Sequence, residues 1–470
     1  MTGLGVGLTH VPGAEPILEA CADLLEVVEI EPQTLWRARP DGTTSCDEEL
    51  MRRLADLPGA RLLHSVGNPV GGCQPPDLRQ TALLGELAER LHAPWVSEHL
   101  AFNRTARAHG REDFRTGFML PPRQTPEGAR RGVASVRAMA DVLPVPLAVE
   151  IGANYLRPRA DELPDGRFVA SVVQGAGCGL LLDLHNVLAN QRNGRVSVDQ
   201  LLDELPLDRV WEVHLAGGFE HRGYWLDSHS GLPDEELLAL AEQVLPRLPA
   251  LRAVLFEVMS SAVPGLDPLA VRDLLVRLRE QWRPPMTAWR PLPAPVPQGP
   301  ALVEGPDCRP DPEEWEHTLG ALTVGQEVDG PFARELRADP AIALLQELVT
   351  EFRASALAGT LVNTVRLLLL TLGEAGVRAL LDDYTRSHPP LLFATEEAEA
   401  FAAHLRRCRP RVPWLTDVLE LDLGLVRVRL DDVPRTVQLA ADPYDLLSAL
   451  GAGRLPSNPG QGEFLVRLTA

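Results

Sequence analysis

The sequence predicts an α/β protein that begins with a TIM-type (β/α)8 barrel and continues into a mainly helical α+β C-terminal domain. Two observations support this prediction. Over the first 280 residues, short apolar runs alternate with amphipathic stretches, as strands alternate with crossover helices in a parallel barrel. Six of the runs end in an acidic or imidazole side chain. Because the carboxyl ends of all barrel strands face one mouth, such side chains would meet there.

Eight apolar runs are the candidate barrel strands. In chain order they are Leu4–Thr9, Leu25–Ile30, Ala60–His64, Trp95–Glu98, Leu147–Ile151, Gly179–Leu184, Val210–Leu215 and Ala253–Val258. Stretches with helical periodicity, such as "EPILEACADLL" and "DEELLALAEQVLPRL", lie between them. The connection from Glu98 to Leu147 is longer than the others and contains "FMLPPRQTP", which we expect to extend over the barrel mouth.

Side chains at the strand ends mark the candidate site. Six close an apolar run and two follow in "YWLDSHSG": His64, His99, Glu150, Asp183, His214 and Glu257, then Asp227 and His229. Charged groups gathered in one place are costly to desolvate, so the pattern predicts metal ions at the mouth. A set without thiolate favours iron, manganese or zinc. Because one catalytic ion typically uses three protein ligands, this number of ligands fits two or three ions that share carboxylates.

Two residues that follow Asp183 are interpreted differently. Asn186 could donate its carbonyl oxygen to a metal. His185, if it continues the strand, points away from Leu184 and Asn186, so we leave it out of the ligand set. In the C-terminal part, we expect the histidines to be surface residues: His317, His388 and His404.

Composition and charge exclude several function classes. The chain has 470 residues, enough for two domains, with 45% hydrophobic and 23% charged residues as in globular proteins. A net charge of −20 argues against nucleic acid as a partner. The six cysteines have no C-x-x-C spacing, which argues against a zinc cluster. With no signal-peptide pattern and no apolar run long enough to span a bilayer, we expect a cytoplasmic protein without a membrane partner.

The sequence divides into three parts. Residues 1–282 are the predicted barrel domain, 283–312 a proline-rich linker, and 313–470 a C-terminal domain. The linker composition favours extended chain, either as a disordered tether or as a spacer that positions the second domain. In the C-terminal domain, "PAIALLQELVTEFRAS" and "TEEAEAFAAHLRRC" are predicted helices, and "GLVRVRL" and "RTVQLA" predicted strands. We expect this domain to bind or dock rather than to catalyse.

Five motifs in the barrel part carry a family resemblance. "HSVGNPVGG", "SEHLAF", "LLLDLHNV", "VHLAGG" and "YWLDSHSG", in this order, resemble the multinuclear non-haem iron-dependent oxygenase/oxidase family, to which the methanobactin-biosynthesis oxidase belongs. The resemblance covers roughly Met1 to Gln281. It implies a barrel with two or three irons at its mouth, in a mixed-valent Fe(II)/Fe(III) state. It also implies an enzyme that uses dioxygen to modify a residue, often cysteine, in a ribosomally made precursor peptide.

The resemblance also implies a ligand set. Carried over position by position, it comprises His64, His99, Glu150, Asp183, Asn186, His214, Asp227, His229 and Glu257. Glu150, central in the order, is the best candidate for a bridging carboxylate, and Glu150, His99 and Asp227 are the expected catalytic residues. The segment after the second strand, usually of the form E-x-x-P-E-N-Y, keeps Glu29 and Pro32 but departs from that form after them.

The C-terminal part, especially "LLDDYTRSHPPLLFATEEAEAFAAHLRR", is similar to the partner proteins that recognise the precursor's leader segment in this family. This similarity implies a fusion in which the C-terminal domain replaces a separate partner and raises the effective concentration of the peptide. Two alternatives stay open. One is a metal-dependent hydrolase or isomerase on a similar barrel, related to sugar-phosphate isomerases or endonucleases. The other is a catalytically inactive metal-binding or regulatory protein.

Overall fold

The barrel is the first architectural unit of the computed structural model, which describes residues 3–38, 43–105, 113–283 and 310–469. Eight parallel strands close on themselves, and each strand pairs with its neighbours in sequence. These strands, β1 to β8, are Gly5–His10, Val27–Ile30, Ala60–Ser65, Val96–His99, Leu147–Glu150, Gly179–Asp183, Val210–Leu215 and Ala253–Phe256. Each coincides with a predicted strand to within about two residues, the usual uncertainty of element ends. The predicted fold class is confirmed.

Helices surround the barrel. Helices α1 to α9 are Glu15–Cys21, Glu48–Ala55, Leu78–Leu91, Pro126–Ala140, Asp165–Ala176, Leu184–Arg192, Val198–Glu204, Glu235–Val244 and Pro268–Gln281. Short 3-10 turns cover Pro32–Leu35, Leu207–Arg209, Leu245–Arg247 and Val263–Gly265. Aspartate side chains begin several of the helices. Asp47, Asp77 and Asp267 each accept hydrogen bonds from backbone N–H groups of the first turn, which stabilises the helix start.

The interior near the strand starts is packed with apolar side chains. Its buried members are Val27, Leu62, Trp95, Ala148, Trp211, Ala253 and Leu255. The rings of Trp95 and Trp211 lie 6.1 Å apart at an interplanar angle of 63°. Gly179 makes room for this packing, since a Cβ atom there would lie 2.3 Å from the Trp211 ring. The lower half of the barrel is therefore filled, and space for polar chemistry remains at the carboxyl ends of the strands.

Three antiparallel hairpins extend the loops on the carboxyl side of the barrel. Their strands are Trp36–Ala38 with Thr44–Cys46, Phe102–Arg104 with Arg115–Leu120, and Glu220–His221 with Tyr224–Trp225. The second hairpin belongs to the long connection between Glu98 and Leu147. This connection therefore has regular structure of its own on the side where the barrel strands end.

The C-terminal region is mainly helical. Helices α10 to α16 are Pro312–Thr323, Pro331–Arg337, Ala341–Thr360, Val362–Ser387, Ala394–Cys408, Leu415–Asp431 and Pro443–Gly451, and strands β9 and β10 are Arg435–Ala441 and Gln461–Leu468. Of the predicted linker 283–312, residues 284–309 lie outside the described part of the chain. Among the described residues, no single helix is long and apolar enough to cross a membrane. Helices α12 and α13 reach that length and composition only as a pair, and they are bent 114° apart.

Of the two strands predicted in this region, one is confirmed and the other is wrong. "RTVQLA" forms β9, which pairs antiparallel with β10, a strand that the sequence analysis did not predict. "GLVRVRL" is not a strand, because residues 424–430 lie in α15. Its two-residue alternation covers only a short stretch, whereas Leu419, Leu423 and Val426 continue one buried helical face. The longer helical period therefore decides the structure.

Two of the three histidines predicted at the surface are buried. His404 is 1% exposed and His317 is 9% exposed, so the prediction is wrong for both. Aromatic rings cover them: Tyr384 and Phe401 lie beside His404, and Phe114 lies beside His317. The third of these histidines, His388, is half-buried.

The helical region packs on the barrel face at which the strands end. Hydrogen bonds link it to the loops after β4, β3 and β5: Trp315 Nε1–H donates to the Pro121 carbonyl (3.0 Å), the Cys73 N–H donates to the Glu316 carboxylate (2.7 Å), and the Arg157 N–H donates to the Asp339 carboxylate (3.0 Å). The guanidinium of the fully buried Arg123 lies 5.1 Å from the centre of the Trp315 ring, a stabilising cation–π contact. The C-terminal region therefore contacts the same side of the barrel as the candidate site.

Candidate metal centre

The structure brings the predicted site residues together at the barrel mouth. They lie at or just after the ends of β3 to β8, in the loop that follows β7, and in the first turn of α6: His64, His99, Glu150, Asp183, His214, Glu257, Asp227, His229 and Asn186. The strand register aligns them, since His99 is the partner of Glu150 and Asp183 is the partner of His214. Side chains far apart in sequence therefore share one level of the barrel.

The first group contains His64, His99 and Glu150. Glu150 Oε2 lies 3.1 Å from His64 Nε2 and 2.9 Å from His99 Nε2. Neighbours occupy the other ring nitrogens: His64 Nδ1 is 2.8 Å from Ser97 Oγ, and His99 Nδ1 is 3.4 Å from the Ser65 carbonyl. Such contacts fix ring orientation and tautomer in metal sites. They leave both Nε2 atoms directed at the Glu150 carboxylate.

Two more groups extend from the first. Glu150, Asp183 and His214 form the second, and Asp183, Asp227 and His229 form the third, each offering ligand atoms within 4.8 Å of one another. Glu150 is common to the first and second groups, and Asp183 is common to the second and third. The three groups therefore form a chain joined by two shared carboxylates.

Asp183 also begins helix α6. Its Oδ1 accepts the N–H groups of His185 (2.6 Å) and Asn186 (3.1 Å) as an N-cap. Its Oδ2 lies 3.7 Å from His229 Nε2. One oxygen therefore holds the backbone while the other faces the site. The strand argument about His185 was wrong, because His185 lies in α6 and its Nε2 is 3.2 Å from the Leu226 carbonyl.

Asn186 and Glu257 lie beside the three groups. Asn186 Nδ2 is 3.4 Å from the Ile151 carbonyl, and Asn186 Oδ1 has no hydrogen-bond partner among the described residues. Glu257 lies between two imidazoles, with Oε2 2.7 Å from His214 Nδ1 and Oε1 3.3 Å from His229 Nδ1. Glu257 therefore orients both rings.

The loop after β7 is held in a strained conformation. His229 has φ 42°, in the left-handed region, which is uncommon for a residue other than glycine and costs about 1–3 kcal/mol. Contacts on both sides hold the loop: the Asp227 N–H donates to the Tyr155 hydroxyl (3.0 Å), and the Met259 N–H donates to the His229 carbonyl (3.0 Å). Strain of this kind concentrates at functional sites.

Two buried carboxylates below the mouth lie outside the predicted ligand set. Glu29 Oε1 lies 3.1 Å from His214 Nε2, and Glu212 Oε1 lies 3.6 Å from it. Both residues are almost fully buried. A signal was present, because each interrupts an apolar strand and Glu212, two residues before His214, must point to the same face. His214 therefore contacts carboxylates through both ring nitrogens.

Burial and charge shift the pKa values in this cluster. Burial lowers the pKa of His99, but the nearby Glu150 outweighs it and holds that pKa well above its ordinary value. Burial raises the pKa of Glu150, but His99 and His64 outweigh it and hold that pKa well below its ordinary value. For Glu29, burial dominates over the opposing His214 and raises the pKa to about 7. Without metal, pairs of imidazolium and carboxylate therefore stabilise the centre. A bound cation would displace the imidazolium protons and take over the pairing with the carboxylates.

The donor atoms fit metal ions. Three buried oxygens in this region have no hydrogen-bond partner among the described residues, and the imidazoles recorded beside two of them lie 3.6 to 3.7 Å away: Asp183 Oδ2, Glu212 Oε1 and Asn186 Oδ1. An unsatisfied buried polar group costs about 1–3 kcal/mol. A bound cation near these oxygens would offset that cost. Imidazole nitrogens with carboxylate and amide oxygens suit iron, manganese or zinc.

A family comparison covers this whole region. The family model described as RiPP precursor modification enzyme MbnB/TglH/ChrH matches residues 3–271. The matched span begins before β1 and ends within α9, so it contains the entire barrel and every residue of the three groups.

Curated relatives match part of this chain. A UPF0276 protein of Streptomyces avermitilis is 38% identical over 168 residues, which are 36% of this chain and 34% of the relative. A UPF0276 protein of Anaeromyxobacter sp. is 32% identical over 230 residues, which are 49% of this chain and 76% of the relative. The chain thus spans about a third of the first relative's length and about three quarters of the second's. Among solved structures, the xylose isomerase domain protein from Planctomyces limnophilus is 15% identical, with a TM-score of 0.37 over 60% of this chain and 99% of that chain.

Proposed function

The chain belongs to the MbnB/TglH/ChrH family of RiPP precursor modification enzymes, and from this premise we propose that it is a multinuclear non-haem iron oxygenase or oxidase. Membership implies a ribosomally made precursor peptide as the substrate. In the proposed reaction, dioxygen is the oxidant and one residue of that peptide is oxidised. Cysteine is the favoured residue, because its thiolate is a ligand that iron accepts well.

The observation that carries this proposal is the chain of three ligand groups joined by Glu150 and Asp183. A single catalytic ion would not need ligands from five strand ends and a loop, whereas bridging carboxylates allow neighbouring ions to share them. The proposed ions would be held by His64, His99 and Glu150, by Glu150, Asp183 and His214, and by Asp183, Asp227 and His229. Asn186 and Glu257 offer further oxygens beside the third group.

Bound iron would supply the one-electron chemistry toward dioxygen that no side chain provides. The protein's own residues would fix its surroundings. Ser97 and the Ser65 carbonyl hold two imidazoles in a single orientation, and Glu257 holds two others. Such positioning limits reorganisation when charge moves during a reaction.

We further propose that the C-terminal domain, residues 313–470, recognises the precursor's leader segment in place of a separate partner protein. Its contacts with the loops after β3, β4 and β5 support this role. A leader bound there would keep the rest of the peptide close to the barrel mouth. In the proposed division of the chain, residues 1–282 are the iron domain and 283–312 the linker.

The first experiment measures metal content and ultraviolet–visible absorption of protein purified without air, before and after exposure to oxygen. We expect two to three irons per chain and a spectrum that changes on oxidation, because the shared carboxylates would couple neighbouring ions. His99→Ala should lose iron and the oxygen response while its circular dichroism stays unchanged. The matched control is His92→Asn, since His92 lies outside the site and its left-handed backbone (φ 55°) tolerates asparagine.

Two outcomes would contradict the proposal. Full iron content and an unchanged oxygen response in His99→Ala would contradict the assignment of His99 as an iron ligand. Zinc or manganese in place of iron, with no response to oxygen, would favour a metal-dependent hydrolase or isomerase on the same barrel.

A further inference from the structure

A second set of metal-ligating side chains lies in the helical region. His404 and Cys408 are four residues apart in α14, so they share one helix face, and Asp383 faces them from α13. Cys408 Sγ is 3.2 Å from His404 Nε2 and 3.9 Å from Asp383 Oδ2. His404 Nε2 is 3.5 Å from Asp383 Oδ2. The three donor atoms form a compact triangle in a region to which the sequence analysis assigned no metal site.

The triangle has the size of one face of a tetrahedral zinc site. Zinc bonds of about 2.0 to 2.3 Å in tetrahedral geometry separate pairs of ligand atoms by about 3.3 to 3.6 Å. The three distances in the protein, 3.2, 3.5 and 3.9 Å, bracket this range. Thiolate, imidazole and carboxylate are all zinc ligands, and three of them leave one position for water.

The surroundings hold the imidazole and leave the other ligands accessible. Aromatic rings pack against His404: Tyr384 at 5.5 Å, Phe401 at 6.3 Å and His388 at 5.6 Å between ring centres. Cys408 and Asp383 are exposed to solvent. An ion could therefore reach the triangle from outside and meet a ring that is already oriented.

One contact would have to change when a metal binds. Arg407 Nη2 lies 2.9 Å from His404 Nδ1, which then accepts a hydrogen bond. A ring that binds metal through Nε2 carries its proton on Nδ1 and cannot accept there. Because Arg407 is exposed, its side chain can move away at little cost. Removing this guanidinium should therefore favour the metal-bound form.

We propose that Asp383, His404 and Cys408 form a separate binding site for a divalent ion of the zinc class, which joins α13 to α14. This site is independent of the barrel centre. The site has a thiolate ligand and the barrel centre has none. A signal specific to metal–thiolate bonds can therefore detect this site in the full chain.

Cobalt(II) is the probe, because a cobalt ion bound to thiolate gives a charge-transfer band in the near ultraviolet, and the ligand groups at the barrel mouth contain no cysteine. We expect the full-length protein to develop this band with about one cobalt ion per chain. Zinc should abolish the band by displacement. Cys408→Ser should remove the cobalt–thiolate band. The control variants His99→Ala and Cys46→Ser should keep the band. Arg407→Gln should shift the titration of the band to lower cobalt concentration.

A second measurement uses the wild-type chain alone, so it does not depend on the folding of a variant. Zinc should slow alkylation of Cys408, followed by peptide mass spectrometry, more than that of Cys46, because a metal-bound thiolate is a poor nucleophile. The absence of a thiolate band, its full retention in Cys408→Ser, or equal alkylation rates with and without zinc would each overturn the proposal.

Discussion

The barrel mouth gathers its ligand groups from strand ends far apart in sequence, whereas the helical region builds its triangle from one helix face and a neighbouring helix. The barrel groups are buried, with Glu150 and Asp183 almost inaccessible to solvent, while the Asp383 side chain is 60% exposed. Buried charges need a compensating cation, whereas exposed ones stay solvated without it. The comparison teaches that the buried barrel groups require charge compensation, by imidazolium–carboxylate pairing or by the proposed metal ions, whereas the solvated triangle does not.

The largest effect is expected for Glu150→Gln, which removes the carboxylate shared by two barrel groups. Because even residues that only support a metal ligand contribute about 10- to 100-fold, loss of this ligand should lower turnover by more than about 100-fold. Metal analysis and oxygen consumption measure the effect. The cobalt–thiolate band of the helical region should stay unchanged. Loss of that band in Glu150→Gln would show that the two sites are coupled and would contradict their separation.

A smaller effect is expected for Ser97→Ala, because Ser97 contacts His64 Nδ1 rather than a metal. Iron affinity, measured by competition with a chelator, should fall by about 10- to 100-fold. Ser171→Ala is the matched control, since the Ser171 hydroxyl donates to the Arg167 carbonyl on the exposed side of α5. Equal affinities for the two variants would show that Ser97 does not orient the ligand.

A third prediction concerns stability rather than metal binding or turnover, and it involves Glu316, at the junction of the two regions. Burial raises the pKa of this carboxyl from 4.5 to about 8, although contact with Cys73 opposes the shift. Ionisation is therefore disfavoured in the folded protein, and the wild type should lose stability as the pH rises between these two values. Glu316→Gln, which cannot ionise, should lack this loss.

Urea unfolding of the wild type and Glu316→Gln at pH 5 and pH 8 tests this expectation. The free energy of unfolding of the variant relative to the wild type should increase with pH. Glu314→Gln, on the exposed side of the same helix, is the control. A difference that stays constant with pH would show that Glu316 does not titrate as a buried acid.

The barrel could be predicted because its geometry follows from local patterns. Eight apolar runs separated by helices can close in few ways, so a residue such as Glu150 or His214 at a strand end was expected at the mouth. Glu29 and Glu212 were not included in the ligand set, although Glu212 lies two residues before the predicted ligand His214. Only the closed barrel brings Glu29, from another strand, beside His214. The argument about His185 took it as a continuation of the strand, whereas Asp183 caps the helix that begins at Leu184.

The sequence by itself determined the fold class, the eight strands and the gathering of the candidate ligands at one end of the barrel. Only the tertiary structure decided that Glu150 and Asp183 are shared between groups, that His404 is buried, and that Asp383 joins His404 and Cys408. The physical reason is that closure of parallel strands leaves little freedom in where strand ends meet. The packing of one helix against another depends on side-chain contacts that periodicity alone does not specify.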